Sequence, residues 1–177
     1  MPRGPALTQP CNVLFLCTGN SARSILAECL ANRLGEGRIR AWSAGSHPKG
    51  AVHPLALEIL HKYGYGSSGL RSKSWDEFAG PDAPRFDAIV TVCDQAAAEA
   101  CPVWPGHPVQ AHWSIPDPAA VEGEPYERRW AFERAYHDLE RRIKAFARLP
   151  IASLDRDALR TCLERLSDAD DPEEPRR

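Results

Sequence analysis

Short apolar runs alternate along this chain with stretches of helical periodicity, and this alternation restricts its possible folds more than any other feature. Strands are predicted at 11–17, 39–44, 86–92 and 109–113. The connections are long enough for crossovers, which predicts a parallel sheet covered on both faces. We therefore expect an α/β fold, a three-layer sandwich around a four-stranded parallel sheet.

Helices are predicted in the connections and after the last strand. Their ranges are 23–34, Pro54 to a stop at Gly64, 75–78, 95–100, 125–149 and 151–166. Functional residues of such sheets lie at the carboxyl ends of the strands. The candidates at these ends are Cys17, Cys93 and the segment around Asp117.

Length and composition fit one globular unit, because 177 residues with 43% hydrophobic and 26% charged content suffice for a single core. We divide the chain into a flexible amino-terminal segment, 1–10, a main domain, 11–149, and a carboxy-terminal helical extension with an acidic tail, 150–177.

The charge balance excludes several classes of partner. A net charge of −2 provides no overall field for a polyanion or an anionic membrane. No apolar run approaches the ~18 residues of a spanning helix, and the opening residues lack the apolar core of a signal peptide. We therefore expect no nucleic-acid or membrane partner and a cytoplasmic location.

The cysteines are not arranged as a scaffold. Six of them, at 11, 17, 29, 93, 101 and 162, are too few and too uneven for a disulfide framework. No Cys-x-x-Cys pair and no His-Glu-x-x-His spacing occurs, so no metal site is expected.

The first predicted strand runs into Cys17-Thr-Gly-Asn-Ser-Ala-Arg23-Ser24, where a polar turn leads into a helix. Backbone N–H groups of such a turn, with the positive end of the helix, form a cradle for a tetrahedral oxyanion. The guanidinium of Arg23 can hold two oxygens of the anion. The residues assigned to oxyanion binding are Thr18, Gly19, Asn20, Ser21, Ala22, Arg23 and Ser24.

The same positive field predicts that the pKa of the Cys17 thiol falls from ~8.5 to roughly 3.5–7.5, so that it is a thiolate at neutral pH. Ser24 can hydrogen-bond this thiolate, and Asn20 can adopt the left-handed conformation that sets the turn. On spacing alone, a buried cysteine beside a surface arginine is an equally good interpretation.

The motif Val13-Leu-Phe-Leu-Cys17-Thr-Gly-Asn-Ser-Ala-Arg23-Ser24, followed by Ala27-Glu28, resembles the phosphate loop of the low-molecular-weight protein tyrosine phosphatase family. Within that family it is most similar to the thiol-dependent arsenate reductases. The likeness covers roughly 11–148, through Trp42-Ser-Ala-Gly45, Val90-Thr-Val-Cys93, His112-Trp113 and Asp117-Pro118-Ala119.

This resemblance implies the reduction of arsenate to arsenite. Cys17 is then the nucleophile that forms a thiol–arsenate adduct, Arg23 binds the oxyanion, Asp117 is the general acid, and Cys93 resolves the adduct. Cys101 resembles the third cysteine of the thioredoxin-coupled members. An external thiol reductant is implied, thioredoxin or glutathione with glutaredoxin, and no tightly bound cofactor.

The resemblance also implies a possible monovalent cation, whose ligands match Asn20, Glu28 and Ser43 loosely. Two departures from the family pattern concern the cysteines. Ala22 stands where many members have a second loop cysteine, and the spacing from Cys93 to Cys101 is one residue longer than expected.

A disulfide between Cys93 and Cys101 needs a change of conformation if the segment between them is helical. Eight residues at ~1.5 Å each separate the two Cα atoms by ~12 Å, beyond the ~7 Å limit of a disulfide. We expect a Cys17–Cys93 bridge first and a Cys93–Cys101 bridge second, as residues 94–100 loop out.

Two other functions remain open at this point. One is a phosphatase of the same fold that hydrolyses phosphomonoesters, although Ala119 stands where its Asp-Pro-Tyr signature has an aromatic residue. The other is a non-catalytic oxyanion-sensing module, for which neither a thiolate nor an acid is needed.

Overall fold

A computed structural model describes residues 9–167 of the chain. Its four strands form one sheet in the order β2–β1–β3–β4, and every neighbouring pair is parallel. The strands are β1 Cys11–Cys17, β2 Ile39–Gly45, β3 Ala88–Thr91 and β4 Val109–His112. The prediction of a four-stranded parallel sheet is confirmed.

Five α-helices occur among the described residues: α1 Arg23–Leu34, α2 Pro54–Lys62, α3 Asp94–Ala98, α4 Pro125–Ala147 and α5 Arg156–Ser167. Three short 3-10 helices lie at Trp75–Phe78, Pro118–Ala120 and Ile151–Ser153. None of the helices within 9–167 is long and apolar enough to cross a membrane.

Both faces of β1 are buried, which explains why this strand reads as a continuous apolar run. Val13 and Phe15 pack against the α-helices in the larger hydrophobic cluster. Leu14 and Leu16 face the other way, into a smaller cluster with Phe78 and other residues of the 3-10 helix and its loop. The carboxyl end of β1 is thereby held from both sides.

The carboxy-terminal segment differs from the prediction of one helix over 151–166. A 3-10 turn at Ile151–Ser153 comes first, and α5 starts only at Arg156. The reason is a cap, because the Asp155 carboxylate accepts the N–H of Ala158 at 2.8 Å and so starts a new helix. α5 then buries Leu159 and Leu163 in the larger cluster.

Other boundaries move by a few residues. The third strand is shorter than the predicted 86–92, and α4 ends two residues before Leu149. α3 ends at Ala98 instead of 100, because the backbone of Glu99 is extended. Most of the predicted flexible start and the acidic tail, 1–8 and 168–177, lie outside the described residues.

Candidate active site

The loop between β1 and α1 is shaped by a neighbouring segment that binds its outer side. Three backbone N–H groups of that segment donate to three loop carbonyls at 2.8–2.9 Å: His47 to Thr18, Lys49 to Gly19 and His53 to Ser21. A planar trans peptide points its N–H opposite to its C=O. The following N–H groups, of Gly19, Asn20 and Ala22, therefore point to the inner side of the loop, as an oxyanion cradle requires.

Gly45, the last residue of β2, is the reason that the loop can lie so close to the sheet. A Cβ at this position would stand 2.5 Å from the carbonyl oxygen of Thr18 and 3.0 Å from the backbone nitrogen of Asn20. Any larger residue would therefore displace the loop. The motif that ends in Gly45 is explained by this close approach.

Cys17 lies at the base of the loop, with 4% of its surface exposed. Its Sγ is 2.9 Å from the hydroxyl of Ser24, and that hydroxyl accepts a 2.8 Å hydrogen bond from the Asn20 amide. The Ser24 hydroxyl has one hydrogen to donate, and donation of it to the sulfur would stabilise the thiolate. Asn20 has a φ of 41°, which confirms its predicted left-handed conformation.

The predicted fall in the pKa of Cys17 is wrong in direction. Burial raises the pKa of this thiol, and the nearby Cys93 raises it further, whereas the Ser24 hydroxyl and N–H and the charge of Arg23 lower it. Desolvation of the thiolate outweighs these stabilising contacts. The sequence indicated the positive field of the turn, but it did not indicate that the Cys17 sulfur is almost completely buried.

Arg23 and Asp117 meet although they are far apart in the sequence. The Arg23 guanidinium donates to the carbonyl of Ile115 at 2.9 Å and lies 3.5 Å from the Asp117 carboxylate. The other carboxylate oxygen of Asp117 accepts the N–H of Ala119 at 3.0 Å and caps the short 3-10 helix. The structure thus brings the predicted acid to the predicted oxyanion ligand.

Cys93 lies directly beside the loop, with 2% of its surface exposed. Its Sγ accepts the N–H of Thr18 at 3.3 Å and that of Ala96 at 3.3 Å, and the hydroxyl of Thr18 is 3.5 Å away. Thr18 follows Cys17 in the chain. The predicted resolving thiol is therefore next to the predicted nucleophile.

A polar contact that sequence reasoning missed holds the start of α3. His112 Nε2 lies 2.7 Å from the Asp94 carboxylate, which also accepts the Ser114 hydroxyl at 2.9 Å. These hydrogen bonds lower the pKa of Asp94. Since Asp94 follows Cys93, the contact fixes the backbone that carries this sulfur. His112 was noted only as part of a motif, with no partner indicated.

Cys101 lies three residues beyond the end of α3. It is half-buried and lines a cavity of about 520 Å³ with Ala97, His112 and Glu164. Burial raises the pKa of its thiol, and the charge of Glu99 adds to this rise. The helical separation of ~12 Å does not apply, because α3 ends three residues earlier. All six cysteines are free thiols.

The residues implied for a monovalent cation surround a lysine. The ammonium of Lys73 lies 3.8 Å from the Glu28 carboxylate and 3.4 Å from the Ser43 hydroxyl, while Ser43 donates to Glu28 at 2.6 Å. Glu28 and Ser43 thus already have a positive partner and do not fit an added ion. Among residues 9–167, no group of three or more His, Cys, Asp or Glu side chains could hold a metal ion.

Comparison with known proteins agrees with this geometry. Residues 12–160 match the sequence profile described as low molecular weight phosphotyrosine protein phosphatase. The match includes the Cys17 loop, Cys93 and Asp117. The chain belongs to this family, which confirms the resemblance deduced from the motifs.

Several relatives of this chain carry the name arsenate reductase. One from Shouchella clausii is 35% identical over 76% of this chain and 94% of its own length. One from Bacillus licheniformis is 36% identical with the same coverage of both chains. The crystal structure of an arsenate reductase from Archaeoglobus fulgidus is 30% identical, with a TM-score of 0.61, over 76% of this chain and 98% of that chain.

Proposed function

We propose that this protein reduces arsenate to arsenite, with Cys17 as the nucleophile and Cys93 as the resolving thiol. The position of Cys93 is the observation that carries the proposal, because its sulfur is hydrogen-bonded to the residue next to Cys17. A hydrolytic phosphatase reaction has no use for a second thiol there. The relatives named arsenate reductase support the same reaction.

In the first step, the oxyanion binds to the inward N–H groups of the loop and to Arg23. Cys17 attacks arsenic(V) as the thiolate, the form that Ser24 and Arg23 favour against burial, so that an S–As bond forms and one As–O bond breaks. Asp117 gives its proton to the departing oxygen, which leaves as water. The 3.5 Å contact of Asp117 with Arg23 places the acid beside the group that binds the anion.

In the second step, the sulfur of Cys93 attacks the sulfur of the Cys17 adduct. An S–S bond forms, the S–As bond breaks, and its electron pair stays on arsenic, which becomes arsenic(III) and leaves as arsenite. The two sulfurs are oxidised by two electrons in total. The N–H groups of Thr18 and Ala96, which donate to the Cys93 sulfur at 3.3 Å, hold it beside the loop for this attack.

In the third step, Cys101 attacks Cys93 of the new bridge, which releases Cys17 and forms a Cys93–Cys101 disulfide. Residues 99–101 follow α3 without regular structure, and Ala98 and Ala100 are exposed, so the rearrangement falls on α3 and this segment. An external thiol reductant then reduces the disulfide. Thioredoxin and glutathione with glutaredoxin are the two donors to be compared.

One observation favours hydrolysis of aryl phosphoesters as a second candidate function. A groove of about 750 Å³ borders Asp117 and contains the exposed rings of Tyr126 and Trp130. These rings can contact a phenyl group of the substrate. They would then take the role of the aromatic residue that stands at the position of Ala119 in the Asp-Pro-Tyr signature. This function needs Cys17, Arg23 and Asp117 but is independent of Cys93.

Turnover of arsenate and of p-nitrophenyl phosphate separates these functions when wild type, Cys17→Ser and Cys93→Ser are compared. A reductase loses arsenate turnover in both variants and keeps p-nitrophenyl phosphate hydrolysis in Cys93→Ser. A phosphatase is unaffected by Cys93→Ser with its own substrate and does not reduce arsenate. An oxyanion-sensing module turns over neither compound. Assays with each donor in turn identify the reductant.

A further inference from the structure

We infer that the ammonium group of Lys73 is a built-in monovalent cation that holds in shape the loop between β1 and α1, residues 18–22. We call this segment the oxyanion loop. The position that the family resemblance assigns to an added ion is then filled by the chain itself. Lys73 acts as a positioning residue, since its ammonium contacts Glu28 and Ser43 and no reacting atom. Its effect on turnover rests on the proposed function, whereas its effect on the loop does not.

Lys73 is unusual because a lysine with 7% of its surface exposed is rare unless it is paired. Its ammonium is surrounded by three oxygen atoms, from the Glu28 carboxylate, the Ser43 hydroxyl and the Arg71 carbonyl, at 3.2–3.8 Å. A monovalent cation in a protein has the same kind of surroundings: oxygen ligands and one nearby negative charge. The Lys73 ammonium supplies the positive charge of such a cation from within the chain.

Charge balance explains why this cation cannot simply be omitted. Burial raises the pKa of Glu28 above its ordinary value, and the charge of Lys73 opposes that rise in part. Burial lowers the pKa of Lys73 below its ordinary value, and the charge of Glu28 opposes this in part. Among the other nearby groups, Arg71 lowers it further, while Glu77 and Cys29 raise it. Each charged form is therefore stabilised by the other, and loss of the ammonium would leave a buried carboxylate without its partner.

The same lysine is connected to the nucleophile through the loop. Its backbone N–H donates to the Asn20 side chain at 2.9 Å, and its carbonyl accepts the N–H of Gly45 at 2.9 Å. Asn20, which is fully buried, donates in turn to Ser24, whose hydroxyl contacts Cys17. Where the ammonium is anchored on Glu28 and Ser43, the backbone that orients Asn20 is anchored as well.

The test compares wild type and Lys73→Ala in potassium chloride and in choline chloride of equal ionic strength. Three quantities are measured: the thermal midpoint, the rate at which iodoacetamide alkylates Cys17, and kcat/KM for arsenate. We expect wild type to show no potassium-specific change. We expect Lys73→Ala in choline to melt earlier and to lose about tenfold in kcat/KM, which equals ~1.4 kcal/mol.

Potassium or ammonium ions should restore much of each property in Lys73→Ala, because either ion can take the place between Glu28 and Ser43. The control is Lys62→Ala, which removes a surface lysine paired with Glu133 and should show neither the loss nor the rescue. A wild type that potassium stabilises as strongly as the variant would overturn the inference. So would a folded Lys73→Ala protein that keeps full activity in choline, or one that gains nothing from potassium.

The wild-type measurement stands even if Lys73→Ala does not fold, and Lys73→Gln then serves as the second variant. If wild type does not turn over arsenate, the thermal midpoint and the alkylation rate still decide the matter. Failure of the proposed function and failure of the cation role are thus recorded by different readouts.

Discussion

The hydroxyl oxygen of Ser24 lies 2.9 Å from the sulfur of Cys17 and accepts a hydrogen bond from Asn20 at the same time. When the hydroxyl donates its hydrogen to the sulfur, it favours the thiolate and so lowers the pKa of Cys17. This contact is one of the few that act against the burial of this group.

Removal of that hydroxyl should make Cys17 less acidic. In Ser24→Ala the pKa of the thiol rises, by about one unit if the lost hydrogen bond is worth ~1.4 kcal/mol. A higher pKa means less thiolate at a given pH, so alkylation by iodoacetamide at pH 7 slows and its midpoint moves upward. The control Ser68→Ala, at an exposed position, should match wild type. An unchanged midpoint in Ser24→Ala would contradict this assignment.

A single methyl group at the end of β2 should displace the oxyanion loop. In Gly45→Ala the new Cβ meets the carbonyl of Thr18 at 2.5 Å, so backbone must move. We expect a loss of about 1–3 kcal/mol in the free energy of unfolding and a marked loss of phosphate binding. Urea unfolding and phosphate titration measure the two effects. Gly66→Ala is the matched control, since nothing lies within 4 Å of the added atom.

Release of the start of α3 should expose Cys93. In Asp94→Ala the contacts with His112 and Ser114 are lost, and the segment that carries Cys93 opens more often. We expect alkylation of Cys93 to be about fivefold faster, which corresponds to ~1 kcal/mol. Peptide mass mapping after timed alkylation measures this rate. Asp82→Ala, at an exposed loop position, should leave it unchanged.

α5 should unfold together with the sheet and not as a separate extension. Leu163 is fully buried in the main cluster, and its carbonyl accepts the indole N–H of Trp113 at 2.9 Å. Leu163→Ala should therefore cost about 2–5 kcal/mol in a single unfolding transition. Leu166→Ala, only partly buried, should cost less. Two separate transitions would instead support independent folding of 150–177, and until then the boundary at residue 150 stays a prediction.

Local sequence patterns were sufficient for the sheet and for the loop that carries Cys17. Apolar runs and Gly or Pro boundaries located every strand within two residues, and the small polar residues before Arg23 predicted the turn. These features depend on neighbours in the chain, which is why they can be predicted from it. Asp155 shows the limit, since its cap divides a segment whose leucine spacing is that of one helix.

Contacts between residues that are distant in the sequence could not be predicted, because local patterns contain no information about them. Nothing in the sequence around Lys73 indicates that its ammonium lies against Glu28, or that His112 binds Asp94. The balance at Cys17 was also missed, because it depends on how much of the surrounding core excludes water. The type of a residue determines which reactions its side chain can undergo, but the fold determines how far that side chain is exposed to water.

The three hydrogen bonds that grip the outer side of the oxyanion loop come from main-chain atoms of His47, Lys49 and His53. The exposed side chains of His47 and Lys49 can consequently be exchanged without loss of these bonds, whereas that of His53 also caps α2 and packs on Phe132. Selection can therefore retune the charge at the mouth of the pocket, and with it which anions are attracted, while the grip on four oxygens stays the same.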